Sequence, residues 1–231
     1  MMFPDRVAAG RILAHRIGGV RRAGVVVLGV PRGGVPVAYE VAQALRVPLD
    51  IVVVRKVGVP GDPELAMGAV GEDGATVVNA DVVAASLVAP DELAAAQRRA
   101  RGEVDDRVRT LRDGWNRLPL TGRTAIVVDD GAATGATALA ACQAVRQLGA
   151  RRVVAALPVG SREAVAALRA ATDDVICLAR PQPFLSVGRY YGDFVPVTDV
   201  DVVKLLIRSR RAFRSAGQDP YFPGAPHLLP L

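Results

Sequence analysis

The sequence predicts an α/β domain: a parallel sheet with helices packed on both faces. Two observations carry this. Continuous apolar runs of strand length occur at residues 25–30, 50–55, 124–128 and 153–157, the pattern of strands buried on both faces. Segments with apolar residues at helical spacing lie between them, as βαβ units require.

Each element follows in order. Residues 5–17 place Ala9, Ile12, Leu13 and Ile17 at helical spacing, and Gly18-Gly19 stops the helix. The run at 25–30 leads into the turn Pro31-Arg32-Gly33-Gly34, after which Val37, Ala38, Val41, Ala42 and Leu45 predict a helix. Residues 50–55, DIVVVR, predict the next strand. From 57 to 75, seven Gly and Pro residues predict a long loop or weak hairpin, with a short strand at 76–79. Residues 91–112 predict a charged helix with Leu93, Ala100, Val104, Val108 and Leu111 along one stripe. The strand at 124–128 enters Asp129-Asp130-Gly131, and a helix over 137–148 stops at Gly149. A strand at 153–157, a Ser161-capped helix to about 171, and a strand at 175–178 continue the alternation. Thr198 caps a last helix to about 211. We read 1–214 as one domain with an excursion at about 57–115, and 215–231 as a Pro-rich tail.

Composition excludes several classes. Only 2 Cys and 2 His occur in 231 residues, with no CxxC pair, so a disulfide scaffold or zinc site is excluded. No GxSxG elbow is present. No apolar run approaches the ~18 residues of a membrane helix, and the opening residues show no apolar secretory segment, so a cytoplasmic setting is expected. The net charge of +6 is carried almost wholly by arginine, the only lysines being Lys56 and Lys204. Aromatics are 4%, too few for the stacking platforms of single-strand binders. A phosphate-bearing small ligand is therefore favoured over nucleic acid.

The strongest chemical signal is 125–137, AIVVDDGAATGAT. Four apolar residues deliver two carboxylates to the carboxyl end of a strand, where open α/β sheets bind ligands. A loop of small residues and a helix start follow, which suits a phosphate monoester held by amides and the Thr134 and Thr137 hydroxyls. The two acids would repel that phosphate. They fit a polyol hydroxyl pair or a divalent cation one sugar's length away. Neither GxxxxGK[ST] nor GxGxxG occurs at a strand-to-helix turn.

Segment 125–137 resembles the phosphoribosyl pyrophosphate (PRPP) fingerprint of type I phosphoribosyltransferases, and the resemblance extends over about 25–206. It implies that family's Rossmann-like fold with a flap and a small hood. It also implies that Asp129 and Asp130 hold the ribose hydroxyls, while Gly131, Ala132, Ala133, Thr134, Gly135, Ala136 and Thr137 wrap the 5′-phosphate. Residues 29–34, GVPRGG, resemble the family's pyrophosphate loop, with Arg32 and Gly33 at the diphosphate. Arg55-Lys56 resembles the basic pair that meets PRPP ahead of the flap at 57–71. Residues 187–194, within a hood at about 181–198, resemble the acceptor-binding segment, giving Tyr190, Tyr191, Asp193 and Phe194 as acceptor contacts.

The resemblance implies a transferase moving 5-phosphoribosyl from PRPP to a nitrogen heterocycle and releasing pyrophosphate. Asp130, Lys56 and Arg32 are its expected catalytic residues. Mg²⁺ is the expected cofactor, bound through PRPP and Asp129 or Asp130, and a homodimer is expected. Ala133 stands where enzymes for 6-oxopurines carry a third acid, so the acceptor stays open. The alternative is a PRPP-sensing regulator contacting nucleic acid or protein through Arg208, Arg210, Arg211 and Arg214.

Overall fold

The computed structural model describes residues 2–18, 24–112 and 114–215. Strands β1 (Val25–Gly29), β2 (Leu49–Ile51), β6 (Thr124–Val128), β7 (Arg152–Val159) and β8 (Asp174–Ala179) form one parallel sheet ordered β2-β1-β6-β7-β8. Leu28 stands in register with Asp50 on one side and Val127 on the other.

Strand alternation divides the apolar runs between two cores. Val25, Val27, Ile126, Val128, Val154 and Ala156 face helices α1 (Arg6–Ile17), α2 (Gly34–Leu45) and α7 (Asp199–Ser215). Val26, Leu28, Ala125, Val127, Val153, Ala155 and Leu157 face α5 (Ala136–Gln147) and α6 (Arg162–Ala171). Both faces are covered, which is why these strands carry no polar alternation. The predicted caps form: the Ser161 hydroxyl accepts the Ala164 N–H at 2.9 Å, and Thr198 and Asp201 cap each other's amides at 3.0 and 3.2 Å.

The excursion differs from the expectation. Residues 50–55 are not one strand: β2 ends at Ile51, and from Val54 the chain enters a second, antiparallel sheet. This sheet is β3 (Val54–Val59), β4 (Asp62–Gly71) and β5 (Thr76–Val78). Its glycines mark close approaches. A Cβ on Gly68 would lie 2.3 Å from the Val77 carbonyl oxygen, and one on Gly71 would lie 2.9 Å from the Ala144 Cβ. Met67 and Val70 are fully buried, so the sheet shares the main core. A short helix, α3 (Ala80–Ala85), follows, and then α4 (Pro90–Arg112), with Ala96, Ala100, Val104 and Leu111 inward.

Two polar ties fix this sheet. The Gln147 amide accepts the Thr76 N–H at 2.8 Å and donates to the Thr76 carbonyl at 2.7 Å. At the end of α4, Arg112 donates to Glu72 at 2.7 and 3.1 Å, to Asp50 at 2.7 Å and to the Ile51 carbonyl at 3.0 Å. Asp50, Glu72 and Arg112 are all buried. Burial pushes the Glu72 carboxyl up, and Arg112 pulls against that shift. No described helix is long and apolar enough to cross a membrane. The Pro-rich tail lies outside the described residues.

Candidate active site

Because β6 runs parallel to its neighbours, its carboxyl end delivers Asp129 and Asp130 beside the loop that leaves β1. The two loops are in close contact. A Cβ on Gly33 would lie 2.0 Å from Asp130 Oδ2, and one on Gly34 would lie 2.5 Å from the Val128 carbonyl oxygen. Glycine at 34 permits the backbones to approach, and glycine at 33 leaves room for the Asp130 carboxylate. The peptide bond between Pro31 and Arg32 is cis.

The carboxyls are held by distinct partners. Asp129 Oδ1 accepts the Asp130 N–H at 2.9 Å. Asp130 Oδ2 accepts from Arg6 Nε at 2.8 Å. The Tyr191 hydroxyl donates to the Asp130 carbonyl at 2.5 Å. Burial holds the Asp129 carboxyl well above the usual aspartate range, with the adjacent Asp130 charge adding to the effect. Asp130 is also raised by burial, while the Arg6 guanidinium pulls it back.

The segment after the acids divides in two. Ala132 is built into the fold: its N–H donates to the Val159 carbonyl at 3.0 Å and its carbonyl accepts the Ser161 N–H at 2.9 Å. It is buried, so the expectation that its amide wraps a phosphate is corrected. Ala133, Thr134 and Thr137 are exposed. Gly135 stands at the helix N-cap with φ +79° and contributes no capping side chain, so the first-turn amides of α5 face the loop. A Cβ on Gly135 would also lie 3.0 Å from the Ala164 Cβ of α6.

A cleft of about 500 Å³ opens between the Arg32 loop, the start of β3 and α4. Its charged lining is Arg32, Arg55 and Arg107 with Glu103, and Thr137 completes it. Arg55 is ion-paired with Glu103 at 2.6 Å, and Arg107 with Asp199 at 2.7 Å. The expected basic pair is not brought together. Arg55 and Lys56 leave β3 on opposite faces, and Lys56 lines a second cleft of about 390 Å³ with Ala136 and Leu139.

The hood lies against the N-terminus. Phe3 N–H donates to the Tyr190 carbonyl at 2.7 Å, and the Phe3 and Pro4 carbonyls accept from Gly192 and Asp193 at 2.8 and 2.7 Å. Tyr191 is a core residue. It is 5% exposed, and its ring packs on Phe3 and Phe194 with centroids at 5.6 and 5.0 Å. The expectation that Tyr191 stacks on an acceptor is therefore corrected: its ring is taken up by the hood and its hydroxyl by Asp130. Tyr190 packs on Phe184 and donates to the Pro183 carbonyl at 3.3 Å. Asp193 is exposed and accepts the Val195 N–H at 3.0 Å. Phe194 is exposed at its edge, while the Arg6 guanidinium lies 3.8 Å from its ring centroid.

The family model for the phosphoribosyl transferase domain matches residues 6–183. The chain belongs to the phosphoribosyl transferase family. Two Mycobacterium tuberculosis proteins, from strains CDC 1551 / Oshkosh and H37Rv, are each provisionally named as phosphoribosyl transferases. Each is 50% identical to this chain over 216 residues, covering 94% of this chain and 49% of its own length. The chain thus spans about half the length of the curated relatives it matches. The crystal structure of TT1426 from Thermus thermophilus superposes with a TM-score of 0.81 at 45% identity, covering 90% of this chain and 99% of that one.

Two further placements bear on this phosphoribosyl transferase domain. Among the described residues no group of three His, Cys, Asp or Glu could hold a metal ion. Two adjacent carboxyls without a third suit a cation that keeps substrate oxygens and waters, as Mg²⁺ does. The basic stretch of α7 is not one contact surface: Arg208 and Arg211 are exposed, but Arg210 is buried against Trp115, 4.3 Å from its ring centroid. Arg214's side chain lies outside the described residues. Sequence reasoning missed Arg6, Glu103 and Arg107, because a charged residue in a helical segment says nothing of what lies opposite it in the fold.

Proposed function

We propose that this phosphoribosyl transferase domain moves 5-phosphoribosyl from PRPP to a nitrogen heterocycle and releases pyrophosphate. One observation carries the reading: the carboxyl end of β6 brings Asp129 and Asp130 against the loop that carries Arg32, and Arg32 lines a cleft with Arg55 and Arg107. A homodimer, which rests on the family resemblance, and the expected cytoplasmic setting belong to the same proposal.

In the reaction, the bond from C1 of the ribose to the diphosphate oxygen breaks, its electron pair leaving with pyrophosphate, while the acceptor nitrogen's lone pair bonds to C1 and any proton on that nitrogen passes to the departing pyrophosphate or to water. Asp129 and Asp130 accept hydrogen bonds from the ribose hydroxyls and fix the sugar against the Arg32 loop. Their negative charge also favours the positive sugar that develops at the transition state. The amides at 133–137 and the Thr134 and Thr137 hydroxyls hold the 5′-phosphate. Arg32 and Arg55 face the diphosphate and favour its departure. Lys56, on the other face of β3 beside Ala136, serves the phosphate end. Asp129 or Asp130 would hold Mg²⁺, which would supply charge neutralisation at the leaving group. Phe194, Tyr190 and Asp193 border the acceptor. The hairpin tip between β3 and β4 excludes water from the reacting sugar.

Mass spectrometry of the protein with Mg²⁺, PRPP and pooled purine, pyrimidine and pyridine bases tests this. A new nucleoside monophosphate is expected, absent from an Asp129→Asn/Asp130→Asn control. No product from the pool, together with no PRPP binding in calorimetry, overturns the proposal.

A further inference from the structure

Arg6 lies on α1, far in sequence from the acids, and the expected site does not include it. Its side chain is only 11% exposed. Nε donates to Asp130 Oδ2 at 2.8 Å, Nη1 donates to the Val195 carbonyl at 2.8 Å, and the guanidinium plane lies 3.8 Å from the Phe194 ring centroid. One planar cation thus touches a proposed sugar-binding carboxylate, the hood backbone and a hood ring together.

The fold does not need Arg6 for docking. α1 is seated on α2 by buried Leu13, Ala14 and Ile17, and by a contact so close that a Cβ on Gly10 would lie 2.8 Å from the Val37 carbonyl oxygen. The chain ahead of it is stitched to the hood by three backbone hydrogen bonds at Phe3 and Pro4. Ordering and nearly burying a long cationic side chain opposes folding unless its partners compensate. What Arg6 adds beyond the existing ties is its grip on Asp130. Gly33 and the Tyr191 hydroxyl bound that residue on its other sides, so the arginine fixes the remaining freedom of the carboxylate.

We infer that Arg6 is a positioning residue of the active site: it holds the Asp130 carboxylate where the ribose hydroxyls meet it and couples that carboxylate to the hood. This rests on the proposed role of Asp130 in sugar binding. The sugar site is then incomplete without the N-terminal helix, although every recognisable motif lies downstream. Arginine suits the task because its flat guanidinium can stack on Phe194 while its edge donates to two acceptors. Lysine keeps the charge at Asp130 but loses the stack and the second fixed donor.

The test is PRPP binding by calorimetry to wild type, Arg6→Gln, Arg6→Lys, Asp130→Asn and the Arg6→Gln/Asp130→Asn double variant, with melting curves for each. Arg6→Gln is expected to weaken PRPP by about tenfold, the scale of one charge-assisted hydrogen bond. Arg6→Lys is expected to recover the part of that loss due to the charge at Asp130 and to stay weaker than wild type. In the Asp130→Asn background the glutamine substitution is expected to change affinity less than about twofold, because coupled residues are non-additive. Equal losses in both backgrounds, a lysine variant no better than glutamine, or a lowered melting temperature with unchanged affinity overturns the inference. Where Asp130→Asn leaves no measurable binding, the lysine rescue alone decides. Wild type that fails to bind PRPP overturns the proposed function as well. Wild type that binds, with Arg6→Gln unaffected, overturns only the role of Arg6.

Discussion

Replacing Gly33 with alanine separates the active site from the fold. The backbone accepts the change: Gly33 has φ −62° and ψ −32°, ordinary for any residue. Removing a glycine from such a position stabilises by about 0.4–1 kcal/mol through the unfolded chain. The obstacle is local, because the new methyl would lie 2.0 Å from Asp130 Oδ2 and 2.6 Å from its Cγ. An ordinary carbon–oxygen approach is about 3.3 Å, so the carboxylate must retreat by about 1.3 Å. That displacement breaks the 2.8 Å bond from Arg6 Nε, and misplacement of about 1 Å in a reacting site costs about 10²-fold. We therefore expect kcat/KM for PRPP to fall about 10²-fold, equivalent to about 2.7 kcal/mol, with the melting temperature unchanged or raised. Steady-state kinetics and a thermal melt check both halves. Undiminished kcat/KM refutes the claim that the Arg32 loop and Asp130 are pressed together. A collapsed melting temperature refutes the claim that the position is free of fold constraints.

Two other predictions concern stability. Arg112→Leu removes the ion partner of buried Glu72 and leaves Asp50 with Arg210 at 3.8 Å, and a loss of about 3–5 kcal/mol is expected in denaturant unfolding; a loss under about 1 kcal/mol contradicts that network. Asp129 has a carboxyl raised above its ordinary 3.8 by burial and by Asp130, so the folded state binds more protons than the unfolded state between the two values. The native form therefore loses stability as pH rises through that window, and above the raised value the full penalty is present. Asp129→Asn should raise the melting temperature at neutral pH and flatten its dependence on pH; a lowered melting temperature at pH 7 contradicts the assignment.

The legible parts of this molecule are those where neighbours in sequence share one environment. The runs at β1 and β6 read as doubly covered strands because each residue is buried, whichever face it points to. The acids and glycines of 125–137 are legible for the same reason, being consecutive in both chain and space. Residues 50–55 misled because an apolar run carries no label for its sheet, and here the chain changes sheets between Ile51 and Val54. The glycines of 57–71 read as a long loop or weak hairpin, and the chain forms the hairpin β3–β4; Gly68 and Gly71 are small because other backbone and helix atoms lie against them. Glu72 and Arg112 are 40 residues apart, and Arg6 and Asp130 are 124 apart. No local pattern marks such partners. Tyr191 illustrates the opposite limit: an aromatic residue in the right segment is filled by its own neighbours rather than by a ligand.

The Gln147 amide offers Thr76 one acceptor and one donor, as the next strand of a sheet would. A helix side chain thus occupies a place on the open border of β5 where another polypeptide could add by strand pairing. An uncovered strand border is a ready template for pairing with another chain. A single glutamine on α5 satisfies the Thr76 stretch of that border, a device that lengthens no strand and adds no charge.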